Sequence, residues 1–99
     1  MIVELAPEAA VDLQAAADFL KERNPSAAGA LLLRFAETMA LLSGGIVRGR
    51  SVTLKDGTRV LAWSMAPYKI YYRLETRRLA VLRVFHQARR PIERKHRKP

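Results

Sequence analysis

Apolar residues along this chain follow two rhythms, and the change between them falls at Gly44-Gly45. In the first part Leu13, Ala16, Ala17 and Leu20 recur at steps of three and four, while Asp12, Gln14, Asp18, Lys21 and Glu22 lie largely on other faces. That spacing predicts a helix with a single apolar stripe. Pro7 suits its first position, and Glu8 and Asp12 suit its positive end. Residues 1–5, apolar apart from Glu4, read as a strand feeding it. Asn24-Pro25 stops the first helix and offers Asn24 as a cap for a second one, with Pro25 at its first position. The second helix carries Ala28, Leu31, Leu32, Phe35, Met39 and Leu42 on one side. It ends at Ser43-Gly44-Gly45, where a glycine can take the left-handed conformation that terminates helices. The pair forms an antiparallel helical hairpin.

Beyond the glycines the period becomes two. Residues 51–55 and 58–64 flank Asp56-Gly57, a pair suited to a two-residue hairpin turn because both central positions require positive φ. Residues 68–74 and 78–85 form a second hairpin around Glu75-Thr76-Arg77. Alternation assigns Leu61, Trp63, Ile70, Tyr72, Leu82 and Val84 to the sheet face covered by the helices. It assigns Lys69, Tyr71, Arg73, Val81, Arg83 and Phe85 to the opposite face. The expected fold is α+β in two layers, in the order β-α-α-β-β-β with three or four closing strands, the helical hairpin packed on a mainly antiparallel sheet.

Charge changes the picture more than composition does. Residues 1–45 hold 3 Lys/Arg and 6 Asp/Glu, whereas residues 46–99 hold 15 and 3. A net charge of +12 on the strand half points to an acidic partner. Ninety-nine residues make one domain. Residues 1–90 are expected to form it, and residues 91–99 a basic, mobile tail too charged to pack. The chain has no cysteine, which excludes disulfides and thiolate metal sites. Carboxylates and histidines do not cluster in sequence, so neither a metal nor another cofactor is expected. No secretory signal or stretch of about 20 apolar residues is evident, so the expectation is a cytoplasmic protein with no membrane partner.

The element order carries several short stretches with it: Leu-Ala-Pro-Glu-Ala-Ala-Val-Asp-Leu near the amino terminus, Asn24-Pro25, Gly57-Thr58-Arg59, Tyr68-Lys69-Ile70-Tyr71-Tyr72-Arg73, and the closing Leu82-Arg83-Val84-Phe85-His86-Gln87-Ala88-Arg89. In this order and spacing they resemble the RelE/ParE superfamily of bacterial toxins, over residues 2 to 90. The resemblance implies the toxin of a type II toxin-antitoxin system, neutralised by a cognate acidic antitoxin, ParD-like or other. It implies one of two activities: ParE-like inhibition of DNA gyrase by binding, or RelE-like, ribosome-dependent endoribonuclease cleavage of mRNA.

Ribonucleases of the superfamily tend to use lysines on the second strand, an arginine on the third, an arginine after the last strand and a carboxy-terminal tyrosine or histidine. Lys69 and Arg89 match two of these positions, and His86 is the one plausible proton carrier. Val60, Leu61 and Ala62 stand where lysines would be expected, and no tyrosine follows Tyr72. The set is incomplete for RNA cleavage, so the ParE-like reading, without chemistry of its own, is favoured and no catalytic residue is assigned. In the ribonuclease alternative the residues would be Lys69, His86 and Arg89, with ribosome and mRNA as partners. A third reading is a non-toxic basic nucleic-acid-binding module. Arg59, Lys69, Arg73, Arg83, Arg89 and Arg90 are the candidate target-binding residues, since strand spacing gathers them on or beside one sheet surface. Leu20, Leu31, Phe35 and Met39 are the candidate antitoxin contacts, should the sheet leave part of the helical groove open. His96 and the remaining tail charges read as solvated surface.

Overall fold

The computed structural model describes residues 1–89 and 91–94. Strand β1 (Ile2–Leu5) leads into α1 (Pro7–Arg23) and α2 (Pro25–Ser43), and four strands follow: β2 (Arg50–Thr53), β3 (Arg59–Met65), β4 (Tyr68–Leu74) and β5 (Arg78–His86). They form one sheet in the order β1-β5-β4-β3-β2, antiparallel except for β1, which pairs in parallel with β5. This is the expected α+β arrangement of a helical hairpin on a mainly antiparallel sheet.

The ends of the helices show which backbone groups need partners. Pro7 and Pro25 open α1 and α2, where the missing N–H goes unnoticed. Asn24 stands at the head of α2, but its side chain accepts a hydrogen bond from Ser26 Oγ (2.7 Å) and does not cap the backbone, contrary to expectation. At the other end Gly45 takes φ +73°, while the N–H of Ile46 reaches Leu41 O (3.1 Å) and that of Gly45 reaches Leu42 O (3.3 Å). This pairing satisfies the last carbonyls of the helix, and only glycine holds the left-handed position without strain.

Helix α2 is long and apolar enough to cross a membrane by length and composition alone, which corrects the sequence reading that no such stretch exists. Here it is a core helix. Leu31, Phe35, Met39 and Leu42 are buried against Ile70, Tyr72, Leu79, Val81 and Val84 of the sheet.

Two strand expectations are corrected. Asp56 does not adopt positive φ; only Gly57 does, at +92°. Leu54 and Thr58 close a three-residue loop, with the N–H of Leu54 donating to Thr58 O (2.8 Å) and that of Gly57 to Leu54 O (2.9 Å). A left-handed residue after an ordinary turn therefore replaces the two-residue turn. Alternation along β5 also breaks. Tyr71 pairs with Arg83 but Tyr72 pairs with Val81, so Leu82 is the extra residue of a β-bulge. Val81 consequently enters the main core, and Leu82 joins the opposite face, the reverse of the strict period-two assignment.

That opposite face is covered in part by residues 91–94, which were expected to be an unpacked tail. Ile92 packs on a second apolar cluster built on Val60, Ala62 and Tyr71. The N–H of Lys55 donates to Ile92 O (2.9 Å) and that of Arg94 to Thr53 O (2.7 Å), so the segment pairs with β2 at the sheet edge. Residues 95–99, with the rest of the expected tail and His96, lie outside the described residues, as does Arg90.

Candidate binding face

The strands place three charged or polar side chains around one carboxylate. Lys69 and Tyr71 are two apart on β4 and so share the face away from the helices. Glu93, brought over them by the 91–94 segment, sets Oε2 2.6 Å from Lys69 Nζ and accepts a hydrogen bond of 2.6 Å from the Tyr71 hydroxyl. Its Oε1 stands 3.8 Å from Arg50 Nη2 on β2. Partial burial pushes the Glu93 carboxyl upward, but the hydrogen bonds from Lys69 and Tyr71 and the nearby Arg50 outweigh it and hold the group below the ordinary carboxylate value. The same burial, with the Glu93 carboxylate beside it, raises the Tyr71 phenol above its usual value. Tyr71 thus stays a donor at any physiological pH. Next to this cluster lies a cavity of about 200 Å³, lined by Lys69, Phe85, His86, Gln87, Arg89 and Glu93 among others.

Other candidates separate in kind. Arg83 does not project freely from the face. Strand β1 stops at Leu5, opposite Val81, and beyond it Asp12 of α1 takes the place of a strand partner. Its carboxylate accepts from Arg83 Nε (2.7 Å) and Nη2 (3.0 Å) and from the backbone N–H of Val84 (3.0 Å). The hydrogen bonds to Asp12 raise the guanidinium pKa. The Arg83 guanidinium also lies 5.1 Å from the Phe85 ring centroid. Arg59 is exposed, 3.4 Å from Ser51 Oγ, beside a depression it shares with Arg50 and Arg94. Arg73 and Arg89 are exposed, and Arg89 borders the 200 Å³ cavity. Arg90 is outside the described residues.

The three residues of the ribonuclease alternative do line one cavity, but two are already engaged. Lys69 is held by Glu93. His86 Nδ1 accepts the N–H of Ala88 (3.0 Å), and its ring stands edge-on to Tyr68 at 5.2 Å. Such contacts anchor the turn after β5. Among the described residues no group of three His, Cys, Asp or Glu gathers into a metal-binding arrangement.

The helix residues expected to contact an antitoxin are corrected by their burial. Leu31, Phe35 and Met39 belong to the core, 4 to 7% exposed, so none of them is available to a partner. Leu20 is half-buried and lines a groove of about 570 Å³ with Val11, Phe19, Tyr68, Val84 and Arg89. The exposed apolar side chains of the hairpin are Val11, Phe19, Leu32, Leu33 and Leu41; Leu32 was expected on the buried side of α2 and is corrected by its exposure, whereas the other four lie off the predicted stripes. Sequence reading also missed Arg48, Arg50, Glu93 and Arg94 on the strand side. The charge excess of the second half was the available signal for the arginines; nothing local marked Glu93 as a partner of Lys69.

A family model described as "ParE toxin of type II toxin-antitoxin system, parDE" matches residues 3–91. A solved structure described as the chromosomal ParDE TA system from P. aeruginosa is similar in fold, with a TM-score of 0.65, 22% identity, and coverage of 87% of this chain and 95% of that one. No curated protein sequence matches.

Proposed function

Since the chain belongs to the ParE toxin family of type II toxin-antitoxin systems, we propose that it inhibits DNA gyrase by binding through the basic strand side of the sheet and is neutralised by a cognate acidic antitoxin. The observation that carries the reading is the family match over residues 3–91. The state of the site supports binding over cleavage. Cutting RNA needs an acid, a base and cations free to follow charge as it develops. Lys69 is instead tied to Glu93 and His86 to the Ala88 amide. Exposed Arg73 and Arg89, with Arg59 and Arg50 at the far edge, supply positive charge for an acidic surface. On the helix side, the 570 Å³ groove beside Phe19 and Leu20 is the proposed seat for the antitoxin.

Brief induction in growing cells separates the readings. A gyrase inhibitor blocks plasmid supercoiling or leaves broken DNA while mRNA stays intact. The variant Arg73→Ala with Arg89→Ala should lose most growth inhibition and keep the thermal stability of the parent, since exposed substitutions alter it by roughly 0.5 kcal/mol or less. The shared cavity of Lys69, His86 and Arg89 favours one second reading, the ribosome-dependent endoribonuclease. Cleavage of translated messages that disappears in His86→Ala would establish it and reject gyrase inhibition.

A further inference from the structure

The groove on the strand side is filled by the chain itself, and the manner of filling specifies what fits. Residues 92 and 93 occupy two adjacent seats. Ile92 packs with the apolar cluster of Val60, Tyr71 and Phe85. Glu93 places one oxygen 2.6 Å from both Lys69 Nζ and the Tyr71 hydroxyl. The backbone on either side is paired with the end of β2 and the loop after it, by Arg94 N–H to Thr53 O and by Lys55 N–H to Ile92 O. All four recognition elements are non-covalent, and none requires the occupant to be joined to β5. The hold is also short, a single isolated bridge between Leu54 and Glu93, so opening it breaks few contacts.

We propose that this groove is a docking site for an extended segment of a partner protein, carrying an aliphatic residue followed by an acidic one, and that the partner enters by displacing residues 91–94. The seats decide between a peptide and a nucleic acid. A phosphodiester would meet Lys69 and Arg50, but it offers nothing to the apolar seat one residue away. It would also face the Thr53 carbonyl, an acceptor that a peptide N–H satisfies and a phosphate does not. The inference rests on this geometry and does not depend on gyrase as the target.

The test uses the unaltered full chain and a fluorescein-labelled peptide of sequence Thr-Pro-Ile-Glu-Thr-Ser, read by anisotropy. Replacing its Glu by Gln should weaken binding on the order of tenfold, the loss of charge-assisted hydrogen bonds. In the protein, Glu93→Ala removes the internal competitor and should strengthen peptide binding on the order of tenfold, because a larger fraction of molecules is open. Lys69→Met should abolish the preference for Glu over Gln. The proposal is overturned if the Glu and Gln peptides bind the unaltered protein alike, if Glu93→Ala leaves affinity unchanged, or if a short single-stranded oligonucleotide binds Glu93→Ala more tightly than the peptide does. The comparison of the two peptides on the unaltered protein stands even where a variant fails to fold, which a thermal melt reveals.

Discussion

Replacing Asp12 by alanine removes the group that joins α1 to the end of β5. Three hydrogen bonds disappear at once, two from the Arg83 guanidinium and one from the Val84 N–H. Only 11% of the Asp12 side chain is exposed, but 34% of that of Arg83 is, so the ion pair is partly screened by water. For a pair so placed about 1 kcal/mol is reasonable. The Val84 amide, left without its acceptor, adds about 1 to 2 kcal/mol. The sum is about 2 to 3 kcal/mol. In a domain of this size each kcal/mol shifts the melting temperature by about 4–8 °C, so the loss should be ~10–20 °C. Asp12→Asn keeps an oxygen for the Val84 N–H and gives up the charge; it should lose roughly half as much. Thermal unfolding followed by circular dichroism measures both. An Asp12→Ala protein that melts within about 3 °C of the parent would refute the assignment of Asp12 as a strand substitute. Equal losses in the two variants would show that the backbone bond contributes nothing.

Two further outcomes follow from the geometry. The Glu93 carboxyl is held below its ordinary value in the folded state, so its ion pair with Lys69 contributes stability above about pH 4.5 that disappears as pH falls through the depressed value; the hydrogen-exchange protection factors of the Arg94 and Lys55 amides, corrected for the intrinsic pH dependence of exchange, should fall over that acid range and stay level in Glu93→Gln, and a pH-independent protection factor in the parent would contradict the pairing. A Cβ at Gly49 would lie 2.5 Å from Ala62 O and 3.0 Å from the Tyr72 ring, so Gly49→Ala should cost about 1 to 3 kcal/mol by overpacking; a urea midpoint unchanged from the parent would contradict that close approach.

The helical hairpin and most of the strand half were legible because the apolar stripes and the alternating runs arise from local spacing, and local spacing is what a sequence displays. Gly45 shows the same point at one residue: a helix end needs a left-handed position, and glycine marks it. The reading lost accuracy where one residue altered a geometric count. Leu82 looks like any other member of its strand, yet as a bulge residue it moves itself and Val81 to opposite faces. Turn chemistry misled in a similar way, since Asp-Gly serves a three-residue loop as readily as a two-residue one. The site was hardest to foresee because its ion pairs join distant parts of the chain. Lys69 and Arg83 were selected as basic residues on a sheet, and their carboxylate partners, Glu93 and Asp12, sit in a segment judged unstructured and on a helix. Burial of Leu31, Phe35 and Met39 depended on how much of α2 the five-stranded sheet covers, which no stripe reveals.

The parallel pairing of β1 with β5 sets the order in which this molecule can be completed during synthesis. Ile2 lies opposite Arg78 and Leu5 opposite Val81, so the first strand has no neighbour until the last has been made. Helix α1 packs chiefly on α2 and β5, so before β5 is made only its packing against α2 is available. A nascent chain still lacking β5 holds the helical hairpin and the β2–β3–β4 meander but cannot assemble the sheet around its inner strand. Long-range pairing of this kind folds slowly relative to local helices and hairpins. Lys69 and Tyr71 therefore exist in sequence well before the 91–94 segment arrives to cover them, and Asp12 waits most of the chain's length for Arg83. The binding face becomes a defined surface only once β5 and residues 91–94 have been made, so whatever captures the protein earlier meets the helical hairpin and an uncovered β2–β3–β4 meander.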